Sequence, residues 1–163
     1  MKKIVLDTFG ADKGVGVMVK GAVDSLALRN DTVVVLVGKA DEIGKELGAY
    51  KYDKNRIEIV DAKDGITNEE SPTEAIRSKT DSSLVKAFEI TKEDPLVAGM
   101  VSAGSTGAVL TGAILIVGRI RGVRRPALCP LLPTQSGGKV CLIDCGANMD
   151  CSPEWLVQFA LMA

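Results

Sequence analysis

Histidine does not occur anywhere in the 163 residues. That absence excludes a Ser-His-Asp or Cys-His triad, an HExxH zinc site and imidazole as a general base. Aromatic residues make up only 4% of the chain, too few to build stacking platforms for single-stranded nucleic acid. No charge of one sign dominates: 20 Lys and Arg face 21 Asp and Glu, for a net charge of −1. Such a chain sets up no field that gathers nucleic acid. Long hydrophobic runs are missing as well. Met1-Lys2-Lys3 leads into an apolar run that stops at Asp7, shorter than the h-region of about 7 residues that a signal peptide needs. The longest uncharged stretch, Pro95 to Gly118, is broken by Gly99, Gly104, Gly107 and Gly112. It does not read as a lipid-facing span, which takes about 20 predominantly apolar residues. The expectation is a soluble, cytoplasmic protein.

Cysteine is sparse and confined to the last quarter, at Cys129, Cys141, Cys145 and Cys151. None forms a C-x-x-C pair, and no histidine is there to complete a zinc site, so no metal is expected. Small buried thiols in a reducing compartment are the reading that this spacing favours.

What is present is globular in proportion: 46% apolar and 25% charged residues. The length suits one domain with a real core, residues 1–163. Strand and helix patterns alternate along it. Lys3–Asp7 and Thr32–Val37 read as buried strands, the second a β-branched run covered on both faces. Between them Val15, Met18, Val19, Ala22, Val23 and Leu26 recur at helical spacing, predicting a helix over 15–28. A short helix is expected over 41–47, a strand over 56–60, a loop over 61–71, helices from Pro72 and over 82–91, and a strand over 96–101. An apolar helix over 105–120 follows, then strands over 127–132 and 139–144 joined by a Pro-Thr-Gln-Ser-Gly-Gly turn, and a last helix opened by Ser152-Pro153. This alternation predicts a three-layer α/β/α domain with a largely parallel sheet. The last helix is still apolar at Ala163 and lacks a glycine cap, which suggests truncation, a natural helical end being the alternative.

Five segments carry candidate chemistry. Ser102-Ala103-Gly104-Ser105-Thr106-Gly107 lies between a buried strand and an apolar helix, where ligands bind in open α/β sheets. Gly104 and Gly107 permit close backbone approach, and the first helical N–H groups lack internal partners. Ser102, Ser105 and Thr106 add hydroxyls. The segment is either a phosphate or carboxylate cradle or plain helix capping; it has neither a Walker A lysine nor the dinucleotide glycine spacing. Asp7 and Asp12 straddle Gly10 directly after the first strand; they either organise a site or, for Asp12, cap the next helix. Arg77 to Ser83, with Lys79, is either an anion clamp or a solvated helix start. Asp144 to Asp150, with Asn148, follows another apolar strand and is expected at the same sheet edge as the Gly104 loop. Arg119, Arg121, Arg124 and Arg125 either complement a helix C-terminus or dock an acidic partner.

In this order, the Asp7–Asp12 motif, Arg77–Ser83, Val101–Ala108, Gly122–Ala127, Asp144–Asp150 and Leu156–Ala160 make the chain resemble the PlsX family, the acyl-acyl carrier protein:phosphate acyltransferases of bacterial phospholipid synthesis. The resemblance implies a fold like that of phosphotransacetylase and isocitrate dehydrogenase, usually as a homodimer. It implies transfer of a long acyl chain from the carrier protein's thioester to inorganic phosphate, with no cofactor, no nucleic acid partner, and peripheral association with the membrane in some members. On that basis Ser102, Gly104, Ser105, Thr106 and Gly107 are expected to bind phosphate, Lys79 to offset charge, Asn148 to orient substrate, and Asp7 and Asp12 to organise the site. The alternatives are a phosphotransacetylase-like enzyme using acyl-coenzyme A and a non-catalytic anion-binding fragment. The chain departs from the family in having Phe9-Gly10-Ala11 for Met-Gly-Gly and Ser105 for Asn, and the family's second half has no counterpart in it.

Overall fold

The β-branched run at Thr32–Gly38 becomes a strand, β2, whose residues from Val33 onward are all buried. A strand covered on both faces needs apolar side chains at every position, which this run supplies. β2 lies at the centre of a four-stranded sheet in a computed structural model that describes residues 1–163. The other strands are β1 (Lys2–Asp7), β3 (Ile57–Asp61) and β4 (Val97–Ser102). Their order is β3-β2-β1-β4, with every pairing parallel. The strands and their helices make up one compact unit, Met1–Val117; a second unit spans Gly118–Ala163.

In the first unit the pleat sends alternate side chains into two different layers. Leu6, Val34 and Leu36 pack with Val19, Ala22 and Leu26 of α1 (Val15–Leu28) and with Ile43 and Leu47 of α2 (Ala40–Leu47). Val5, Val35 and Val37 face the other way, against Ala62 and against Ala87 of α4 (Ser83–Glu93). A third cluster joins α3 (Pro72–Ser78) to α4 and to α5 (Thr106–Gly112) through Ile76, Leu84, Phe88 and Ala108. The first unit is therefore helix, parallel sheet, helix, as the alternation of elements predicts. α5 passes into a π-helical stretch, Ala113–Val117, so the helix expected to reach Ile120 ends three residues early.

The strand order explains where a ligand fits. The chain builds outward from β1 to β2 to β3, then crosses back to lay β4 on the opposite side of β1. Connections leaving β1 and β4 therefore run to opposite sides and leave a crevice at the carboxyl ends of these two strands, the place where open α/β sheets bind ligands.

The second unit holds a small antiparallel hairpin, β5 (Leu131–Pro133) with β6 (Lys139–Cys141), and α6 (Pro153–Met162). Both strands are shorter than the apolar runs at 127–132 and 139–144 suggest. The turn closes on mutual hydrogen bonds, Thr134 N–H to Gly138 and Gly137 N–H to Thr134, each 3.0 Å. α6 starts as its sequence dictates, with the Ser152 hydroxyl accepting from Trp155 N–H and proline in the first turn. Two of the arginines expected at a helix C-terminus lie against α6 instead. Arg124 pairs with Glu154 at 2.9 Å, and the Arg125 guanidinium sits 5.2 Å from the centre of the Trp155 ring. None of the four cysteines is fully buried, and Cys129 is exposed. This corrects the expectation of buried thiols: a hairpin of two three-residue strands has no interior to hide them in.

Leu36 is fully buried at the centre of the α1–α2 side. Leu36→Ala is expected to cost about 2–5 kcal/mol of unfolding free energy, read from the urea midpoint. A cost near zero would mean the sheet is not the core.

Candidate functional site

The site is organised by a buried carboxylate at the end of β1. Asp7 pairs in register with Ser102, the last residue of β4. Its Oδ2 accepts a hydrogen bond from Ser102 Oγ at 2.8 Å, and its Oδ1 accepts one from the Phe9 N–H at 3.1 Å. Ser102 Oγ in turn accepts from Gly104 N–H at 3.2 Å. One carboxylate thus ties together the loops that leave both strands. Asp7 is 3% exposed, and its removal from water pushes its pKa up. Hydrogen bonding from the Ser83 side, from Ser102 and from Phe9 N–H pulls the other way without cancelling the rise. The Ser83 hydroxyl is itself buried and stops short of full hydrogen-bond geometry with any partner.

The same two loops touch backbone to backbone. Gly10 has φ +86°, and a Cβ placed there would lie 2.6 Å from the Gly104 Cα. Only glycine meets both conditions. Next to it the Phe9 ring covers Gly65 so closely that a Cβ at 65 would overlap the ring carbons. Phe9 therefore pins the 62–71 loop against the crevice.

Beyond this junction opens a cleft of about 390 Å³, lined among others by Thr8, Gly10, Asp12, Glu42, Thr67, Glu69 and Ser105. Its charged lining residues, Asp12, Glu42 and Glu69, are all acidic. Asp12 is exposed at the cleft wall and does not cap α1, whose N-cap is Gly14, with no side-chain cap. Ser105 caps α5, its Oγ accepting from Ala108 N–H at 3.4 Å. Thr106 and Gly107 are exposed and begin the helix, so their N–H groups are the first-turn donors that no helical carbonyl can reach. Of the hydroxyls in this segment, Ser102 and Ser105 are committed to the loop itself, and Thr106 is free.

Lys79 has a different set of partners from an open anion clamp. Its Nζ donates to Gly65 O at 2.8 Å and lies 2.8 Å from Glu70 Oε1 and 3.4 Å from Asp64 Oδ1. Two carboxylates hold its pKa up, and it in turn holds Glu70 down. Lys79 thereby anchors the 62–71 loop, which the sequence shows only as a polar stretch without periodicity, yet Ile66, Thr67, Asn68 and Glu69 form one wall of the cleft. Sequence reasoning missed this wall because it carries no local pattern; its position depends on Lys79 and Phe9 from elsewhere in the chain.

Asn148 belongs to the second unit, where Asp144 organises its own loop. The Asp144 carboxylate accepts from Leu128 N–H (2.8 Å), Asn148 N–H (2.7 Å), Asn148 Nδ2 (3.1 Å) and Ala147 N–H (3.3 Å). Burial alone would raise its pKa, but these donors outweigh it and the net shift is downward. Asn148 Nδ2 also donates to Pro126 O at 3.0 Å, so its amide group braces the loop.

The family model described as "Fatty acid synthesis protein" matches residues 2–163 of this chain. The chain is 47% identical to the phosphate acyltransferase of Clostridium novyi (strain NT) over 160 residues, covering 98% of this chain and 48% of that protein. It is 46% identical to the phosphate acyltransferase of Clostridium tetani, with 98% and 47% covered. To that of Dictyoglomus thermophilum it is 48% identical, again with 98% and 47% covered. The chain spans about half the length of these curated relatives.

Two predictions follow from the junction. Gly10→Ala is expected to destabilise the first unit by about 1–3 kcal/mol, because the new methyl meets backbone and not a side chain that can turn away; thermal unfolding measures this. Asp7, with its raised folded pKa, binds its proton more tightly folded than unfolded. Its contribution to stability is therefore largest below the ordinary aspartate value of 3.8 and is lost as pH rises through the raised folded value. Asp7→Asn removes this titration, so the variant should gain on the parent as pH rises from acid to neutral. A stability difference independent of pH in urea titrations would contradict the assignment.

Proposed function

The chain belongs to the fatty acid synthesis protein family, and from that membership we propose that its fold serves transfer of a long-chain acyl group from the thioester of acyl carrier protein to inorganic phosphate. The products are an acyl phosphate for phospholipid synthesis and the free carrier thiol. The relatives named phosphate acyltransferase support the phosphate acceptor. The observation that carries the reading is the loop from Ser102 to Gly107, clamped by buried Asp7 and opening a helix at the crevice between β1 and β4.

The reaction asks little proton chemistry of the protein. Phosphate is already nucleophilic at neutral pH, so no histidine is needed. Its oxygen attacks the thioester carbonyl, a tetrahedral oxyanion forms, and the carrier thiolate leaves. The protein must hold phosphate in line, exclude water and stabilise the oxyanion. Ser102, Gly104 and Ser105 would set the loop, and the Thr106 hydroxyl with the Thr106 and Gly107 N–H groups would meet the anion at the positive end of the helix. The acidic lining of the cleft favours this rim over the cleft floor for a phosphate. Asp7 would act by fixing Ser102, Lys79 by neutralising the carboxylates of the 62–71 loop, and Asp12 from the cleft wall. A homodimer and peripheral contact with the membrane belong to the same reading. No helix is long and apolar enough to cross a membrane.

The test is phosphate-dependent acyl transfer from long-chain acyl carrier protein, with hydroxylamine trapping the acyl phosphate. Signal requiring both substrates supports the reading, and preference for acyl-coenzyme A would favour a phosphotransacetylase-like donor instead. In an active protein, Thr106→Val should raise the phosphate KM roughly 10- to 100-fold, as expected for one lost hydrogen bond to a charged group, with little change in unfolding. An unchanged phosphate dependence would remove Thr106 from the site.

A further inference from the structure

Two of the four cysteines are held face to face. Cys129 Sγ and Cys141 Sγ lie 2.7 Å apart, closer than two unbonded sulfurs usually rest and a small side-chain movement from a covalent bond of about 2.05 Å. The backbone enforces this meeting. Cys141 pairs with Leu131 across the hairpin, Leu142 N–H donates to Pro130 O at 3.1 Å, and Cys145 N–H donates to Leu128 O at 3.1 Å. Those last two bonds tie the residues flanking Cys129 to Leu142 and Cys145, in the segment that continues past the strand carrying Cys141, so Cys129 and Cys141 are held on facing segments. Cys129 is exposed and Cys141 half-buried. Cys145, the nearest competitor, turns its thiol toward Leu142 O.

We propose that Cys129 and Cys141 are a redox-modification site that closes reversibly into an intramolecular disulfide when the chain meets a small disulfide oxidant. The Cys129 thiolate attacks one sulfur of the oxidant, giving a mixed disulfide and releasing one small thiolate. The Cys141 thiolate then attacks Cys129 Sγ, forming the protein disulfide and releasing the second small thiol. Two protein thiols are oxidised, one external disulfide is reduced to two thiols, and both protons leave with them. Exposure makes Cys129 the point of entry, and the hydrogen bond that the two thiols share pushes the Cys141 pKa up, leaving Cys141 as the resolving thiol. Closure staples the hairpin at the end that leads into the Asp144 loop, since Leu128 N–H is bound to Asp144 Oδ1.

The whole 163-residue chain is incubated with excess oxidised glutathione, free thiols are blocked with iodoacetamide, and the protein is digested with trypsin. Cleavage after Lys139 separates the two cysteines, so the disulfide appears as a linked peptide pair that dithiothreitol splits. The expected link joins Cys129 to Cys141, persists in Cys145→Ser and Cys151→Ser, and is lost in Cys141→Ser, where Cys129 stalls as the glutathione adduct. Circular dichroism confirms that each variant is folded. A link from Cys129 to Cys145 or Cys151, a stable glutathione adduct in the parent, or four freely alkylated thiols would each overturn the proposal.

Discussion

The hydrogen bond between Asp7 and Ser102 joins residues 95 apart in the chain. It exists because the chain, after laying down β2 and β3, returns to place β4 beside β1. Everything proposed for the crevice hangs on that return. The Gly104 loop is aimed by Ser102, Ser102 is aimed by Asp7, and Gly10 and Gly104 meet with no room for a side chain between them. Displacing β4 by one residue would turn Ser102 to the other face of the sheet and leave the carboxylate buried without its hydroxyl donor.

The protein handles the buried Asp7 and the part-buried Asp144 in opposite ways. Asp7 has one hydroxyl and one amide clearly donating to it, and desolvation wins, so its pKa rises. Asp144 collects N–H groups from Leu128, Ala147 and Asn148, and these outweigh desolvation, so its pKa falls. The difference is one of burial and donor number and not of residue type: Asp7 is buried with few donors, and Asp144 is part-buried with several. Asp144 shapes its loop through those donors, and Asp7 sits buried where the loops leaving β1 and β4 meet.

Much of the fold was legible in the residues. The helical stripe from Val15 to Leu26 appears over the expected range, Val15–Leu28, because its apolar spacing matches one helix face. The β-branched run at 32–37 becomes the most buried strand because every position after Thr32 is apolar. Ser152-Pro153 starts α6, since capping chemistry is local. Legibility failed where local pattern was weak or misleading. The runs at 127–132 and 139–144 look like full strands but pair over three residues each. The loop at 61–71 looks featureless but walls the cleft, held there by Lys79 and Phe9.

The candidate site divides in the same way. Residue type and order alone specify the kinds of groups available: Gly-rich turns after β1 and β4, hydroxyls at a helix start, carboxylates near both, and no imidazole. They also specify the alternation that makes a parallel sheet. Which of those groups are free depends on how the folded segments meet. Ser102 and Ser105 are spent within the loop while Thr106 is exposed, Lys79 is neutralised by Glu70 and Asp64, and Cys129 faces Cys141. The physical reason is that residue type and spacing set local geometry, whereas hydrogen-bond partners and burial arise between segments far apart in the chain, which meet only when the strands have taken their order.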